Sequence, residues 1–256
     1  MTIPEPFTGV DIAALAWFLA CWVGYSIAAD HTRLNRKTVA AVMSEYRVHW
    51  MMAMMQRDLR MIDTSIISGI LHGVAFFAST AILLVGGLIA GLGAGPEAIE
   101  VLSHLPYSAT TSLASWEMKL LLLIGIFVYA FFKLAWAFRL FVNCSILIGA
   151  APIPPCAPAT VEIYSTSAGH ALSLASSHYN AGLRGYFFAL AAIWWFYNPY
   201  AFLVATSLVL LVMCRREFHS RTLRTINAAL GHAATTRSDA DVAPEESPES
   251  ALSPKI

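Results

Sequence analysis

Between residues 119 and 155 the chain reads KLLLLIGIFVYAFFKLAWAFRLFVNCSILIGAAPIPP, a run apolar enough to cross a lipid bilayer yet interrupted by Lys133, Arg139 and Asn143, with Trp136 between the two cations. A run of this length and composition is matched by its solvent only as a membrane-spanning helix. Charges inside such a helix are costly, so they are kept where they reach the headgroups or where they serve a purpose. The whole chain points to the same solvent: it is 57% hydrophobic and 12% charged, where soluble domains are roughly 25% charged.

Further apolar runs flank this one. Residues 12–29 (IAALAWFLACWVGYSIAA) carry no charge and have the length of a first crossing, and no basic residue precedes them as a secretory signal would require. Residues 30–63 are charged, with Val39, Val42, Met43, Tyr46, Trp50, Met54 and Leu59 near helical spacing, which predicts an amphipathic helix on the cytoplasmic membrane surface. The methionines at 51, 52, 54 and 55 read as interface packing rather than a soft-metal site, since no Cys or His pattern accompanies them.

Residues 64–95 contain no carboxylate, Lys or Arg and form a second crossing. At about 48 Å a helix of that length exceeds the hydrocarbon core, so it must tilt, kink or project. Gly69 and Gly73, and Gly87 and Gly91, are four apart, a spacing that lets backbones approach. This predicts a central helix, or a surface for a second copy or a partner membrane protein through Gly69, Gly73, Gly87 and Gly91; for the last glycines the alternative is a loosened helix end. After an acidic loop, residues 119–149 form the third crossing, stopped by Pro152, Pro154 and Pro155. Residues 182–196 and 201–214 form the fourth and fifth, with a turn at Asn198 and Pro199. The expected fold is an all-α polytopic transmembrane bundle of about five crossings, or four if the first is not inserted.

The domain plan is then a short extracytoplasmic N-terminus at 1–11, a single helical membrane domain at 12–232, and an acidic, Pro- and Ser-containing cytoplasmic tail at 233–256 expected to be disordered. Arg33, Arg36, Lys37, Arg47, Arg57 and Arg60 lie in the segment after the first crossing, and Arg215, Arg216, Arg221 and Arg224 follow the last. Five crossings with the N-terminus outside put both groups in the cytoplasm, as the positive-inside rule requires of an inner or plasma membrane protein.

Depth separates the intramembrane cations. Counted from Lys119, Lys133 lies about 21 Å along the axis and Arg139 about 30 Å, near the inner boundary. Arg184, on the returning helix about 20 Å from Tyr197, shares the depth of Lys133. Trp136, Arg139 and Asn143 fall within about 60° around the helix and Lys133 within about 120° of the farthest, so the four share one polar face. Asp63 is the nearest carboxylate by topology, and Asp58 and Glu217 are also within reach of the cytoplasmic rim. Snorkelling and ion pairing would make these groups structural. The alternative is an inner-leaflet pocket in which Asp63, Lys133, Trp136, Arg139, Asn143 and Arg184 receive a small anion or an anionic lipid headgroup.

Cys21, Cys144, Cys156 and Cys214 are too dispersed for a zinc or disulfide framework. His170 and His178 sit in a Ser- and Ala-rich segment that reads as interfacial, so no haem, metal or other cofactor is expected. No phosphate-cradling loop, nucleophile elbow or dinucleotide fingerprint is present, which places an enzyme last among the function classes. Membrane lipids are the expected partners, and no nucleic acid is.

Two groups of strings carry a resemblance. RVHWMMAMMQRDLRMIDTSIISGILHGVAFFASTAILLVGGL, and later FFKLAWAFRLFVNCSILIGAAP, NAGLRGYFFALAAIWWF and RREFHS, resemble the domain of unknown function 599 family of multi-pass membrane proteins over residues 17–224. The resemblance implies an integral membrane protein and no particular activity. The residues themselves leave two readings: binding or passing of an anionic ligand, or a membrane scaffold whose cations are structural.

Overall fold

The computed structural model describes residues 7–31, 39–104 and 112–218. The expectations placed on Arg33, Arg36, Lys37, Arg221 and Arg224 and on the tail at 233–256 fall outside the described residues. Those described form seven helices and no strand: α1 Gly9–His31, α2 Val39–Met55, α3 Met61–Gly93, α4 Gly95–Ser103, α5 Leu113–Ala150, α6 Pro158–Ile193 and α7 Pro199–Phe218. The all-α helical bundle is as expected.

The helix boundaries have local causes. Ser112 caps α5 by accepting from the Ser115 amide at 3.2 Å. Pro158 and Pro199 open α6 and α7 where a missing amide hydrogen costs nothing. No glycine follows the last residue of α5, where Ala151 and Pro152 stand, so its orphan carbonyls need other donors. Tyr164 Oη donates to the Leu147 carbonyl at 2.6 Å, and the Arg60 guanidinium donates to Ala151 at 2.6 Å and to Ile148 at 3.4 Å. A cation at a helix C-terminus also opposes the negative end of the dipole.

The antiparallel pair α5 and α6 is the centre of the bundle. Tyr164 meets Leu147 at one end, Gly182 and Gly185 lie against Ala130 in the middle, and Lys119 meets Trp195 at the other end. α3 packs on α5, with Trp116 Nε1 donating to the Gly91 carbonyl at 3.2 Å. It is also tied to α6 by Tyr186, which donates to the Phe77 carbonyl. α1 and α7 pack on the remaining face of α6 through Phe18, Phe188 and Phe202. α1, α5 and α7 run toward the end that carries Arg47, Arg57, Arg60 and Arg216, here termed the basic end; α3 and α6 run away from it.

Among the described residues four helices are long and apolar enough to cross a bilayer, Gly9–Ala29, Met61–Gly93, Leu113–Ala150 and Pro199–Glu217, and the chain is a membrane protein. The first run and the expected fifth crossing, at 201–214, are among them, and the expected fourth, at 182–196, is the one that falls short. That crossing belongs to α6, whose buried set includes Ser165, Gly169, Gly182, Arg184 and Gly185. A helix covered by other helices needs small residues for close packing and tolerates polar ones, so its hydropathy understates its burial.

The expectation that the Gly-rich α3 is central is overturned for the same reason. A Cβ added at Gly69, Gly73 or Gly87 would have nothing within 4 Å, and only Gly91 comes near another helix, at 3.7 Å from Leu120. Spacing alone identifies a smooth stripe and not what lies against it. α2 is also more than a surface helix: Met51, Met54 and Met55 are buried in the core of the basic end, where the methionines act as packing.

Candidate functional site

Between the ends of α1 and α7, the start of α2, and the flanks of α5 and α6 lies a cavity of about 810 Å³ at the basic end. The face of α6 opposite Gly182 and Gly185 lines it, because Ser177, Ala181, Arg184 and Phe187 recur three or four residues apart. Lys133 enters from α5, Arg47 from α2, and Arg216 and Glu217 from α7. Four cations thus share the space with one carboxylate among the described residues. Arg184 is buried, and Lys133 is partly buried with its ammonium 5.6 Å from the centroid of Tyr129. The Arg216 guanidinium lies 5.9 Å from the Phe187 ring. Such pairings hold a cation without neutralising it. Burial lowers the pKa of Arg47 from its ordinary value, yet an arginine remains protonated.

The amino end of α2 borders the same cavity through Val39 and Ala40. Its first amides have no intrahelical acceptors, and the helix dipole adds positive potential there. Glu217 Oε1 accepts from the Ala40 amide at 3.5 Å, so a carboxylate already interacts with that end. Chemically, the arrangement suits a compact oxyanion: several donors of one sign converge in a partly dehydrated space.

The six residues singled out from the sequence divide into separate environments. Lys133 and Arg184 line the cavity together. Trp136, Arg139 and Asn143 lie on the exposed face of α5, with Arg139 5.8 Å from the Trp136 ring. Asp63 is fully buried elsewhere, where one oxygen accepts from Trp50 Nε1 at 2.7 Å and from Arg57 at 2.8 Å. It fastens the α2–α3 corner. A helical wheel relates side chains on one helix but does not say which face its neighbours cover. Sequence reasoning treated Arg47 and Arg216 only as orientation signals, whereas Glu217 was expected, with Asp58, as a carboxylate within reach of the rim, and it lines the cavity. Their clustering at helix ends was the available signal.

A second charged group, also missed, occupies the opposite end. Asp11 accepts from Trp195 Nε1 at 2.9 Å and from the Thr8 hydroxyl at 2.7 Å. The Lys119 ammonium lies 5.6 Å from the centroid of Trp195, and both charged residues are buried. Between this group and Lys133 runs a column of rings. Tyr129 and Trp22 are 5.4 Å apart, Trp22 and Phe188 6.0 Å, Phe188 and Phe18 5.7 Å, Phe18 and Phe202 5.1 Å, and Phe202 and Trp195 5.2 Å. Such a column is apolar packing along the α1–α6–α7 interface.

No curated protein and no solved structure matches the chain. A family model does, and it covers every described helix except the first residues of α1, including all the residues that line the cavity. The chain belongs to the family described as protein of unknown function, DUF599, which matches residues 13–222.

Proposed function

We propose that this protein binds or passes a small anion or an anionic lipid headgroup in the basic half of its bundle. It would lie in the inner or plasma membrane with its N-terminus outside and the basic end facing the cytoplasm, an orientation supported by the positive-inside rule. The observation that carries the reading is the meeting of Lys133 and Arg184 with Arg47 and Arg216 in one cavity. Snorkelling alone would leave each cation at its own helix surface, whereas these four converge. Phosphate is the favoured chemistry, because guanidinium and ammonium donors converge on its oxygens. Mass spectrometry of the protein extracted in native lipid particles tests this. Replacing both Lys133 and Arg184 by alanine is expected to lower the co-purifying anionic species at least tenfold, since each charge-assisted hydrogen bond is worth about 1.5–3 kcal/mol. An unchanged complement at equal expression would sink the reading.

A second reading, a scaffold that assembles with copies of itself, is favoured by the open space over Gly69, Gly73 and Gly87 on α3. Gly91 is excluded from that face by its contact with Leu120. Under this reading Gly73→Leu abolishes in-membrane cross-linking between copies, and persistence of the cross-link argues against it.

A further inference from the structure

We propose that the occupant of the basic-end cavity is a whole anionic glycerophospholipid drawn from the adjoining leaflet, and that it is held there rather than passed through. This deepens the anion reading above and rests on it. Three observations favour a lipid over a free oxyanion.

The first is size and lining. The cavity's volume of about 810 Å³ lies within the range of pockets that enclose drug-sized ligands, far more than a bare phosphate fills. Its walls are of two kinds: Arg47, Lys133, Arg184 and Arg216 supply charge, whereas Met43, Leu183, Phe187 and Met213 supply apolar surface. A site evolved for a free anion has no use for the second kind, while an amphiphile needs both.

The second is continuity with the lipid-facing surface. Phe187 lines the cavity and is also 36% exposed, and Leu190 and Trp194 follow it at helical spacing with 58% and 53% exposure. This apolar stripe runs along α6 away from the basic end. A headgroup at Arg184 and Lys133 would therefore have its acyl chains directed along Phe187, Leu190 and Trp194, with Arg216 stationed over Phe187 where the two regions meet.

The third is closure. From Tyr129 to Trp195 the interior beyond the cavity is filled by ring-to-ring contacts, ending at the Asp11–Trp195–Lys119 group. An occupant therefore enters and leaves through the basic half. Among the described residues that line the cavity, the excess of cations over the Glu217 carboxylate selects an anionic headgroup over a zwitterionic one.

The full chain is reconstituted in phosphatidylcholine nanodiscs doped with phosphatidylglycerol, and the lipid that stays with it is counted by native mass spectrometry. Glycerol phosphate and inorganic phosphate are added as competitors. One phosphatidylglycerol per chain is expected, enriched roughly tenfold over its share of the disc and lost in Lys133→Gln and Arg184→Gln. Because Arg184 is buried and its replacement threatens folding, Arg216→Gln, at an exposed position, serves as the second variant and is expected to weaken retention. If phosphatidylcholine is retained as well as phosphatidylglycerol, the proposal fails. If glycerol phosphate or inorganic phosphate displaces the lipid at equal concentration, the lipid assignment fails and the anion reading stands. If neither lipid nor phosphate binds, both fall.

Discussion

Asp11→Ala is expected to destabilise the protein by about 3 kcal/mol, the lower end of the range for removing one partner of a buried charged pair. Asp11 and Lys119 retain 7% and 3% of their exposure, and Trp195 stands between them, its indole N–H on the carboxylate and its ring under the ammonium. That separation weakens the direct attraction, hence the lower end. Without Asp11, the Trp195 N–H loses its acceptor and Lys119 is left in an apolar setting with only a ring face beside it. For a chain of this size the loss corresponds to a fall in Tm of about 10 °C, measurable in detergent by size-exclusion after heating. The companion change is the sharper test. Adding Lys119→Met removes the stranded charge and is expected to restore most of the stability, because apolar replacement of a buried pair is often neutral. If the single variant melts with the wild type, the three residues do not hold the helix ends together.

Gly169→Ala is expected to cost about 2 kcal/mol net, the resultant of opposing effects. Alanine in place of glycine in a helix gains about 1 kcal/mol in propensity, whereas overpacking costs about 1–3 kcal/mol or more. Steric clash wins at this position because the added Cβ would lie 2.7 Å from Val48 Cγ2 and 2.8 Å from Val48 Cα. A backbone atom cannot turn aside, so α2 must lift from α6. The Ser44–Ser173 hydrogen bond of 2.8 Å is then stretched, and the buried side of Met51, Met54 and Met55 is disturbed. Gly182→Ala meets the Leu134 side chain at 2.6 Å but no backbone atom closer than the Ala130 carbonyl oxygen at 3.3 Å, so a smaller loss is expected. Gly73→Ala meets nothing and should gain slightly. The order of Tm values, with Gly169→Ala lowest and Gly73→Ala highest, checks the assignment of α6 rather than α3 as the central helix.

Much of the site was visible in the chain as depth. Lys133 and Arg184 were placed at one level by counting residues along two antiparallel helices, and they line one cavity. Depth follows from the constant rise of a helix, which any sequence provides. Azimuth does not follow so simply. Lys133, Trp136, Arg139 and Asn143 were placed on one face of α5, but only Lys133 lines the cavity while the other three are exposed, and Asp63 proved to belong to a corner with Trp50 and Arg57. Arg47 and Arg216 were legible only as flanking charges, since nothing local tells that α2 and α7 bring them to the same space.

By itself the sequence determined the solvent, the helical class, the positions of four apolar crossings and the segregation of basic residues, because hydrophobicity and charge act on each segment independently of its neighbours. Only the tertiary structure decided which helix is central. Both α3 and α6 carry spaced glycines, yet Gly169, Gly182 and Gly185 meet other helices while Gly69 and Gly73 meet none. Close approach is a property of two surfaces, and one strand of sequence describes only one of them.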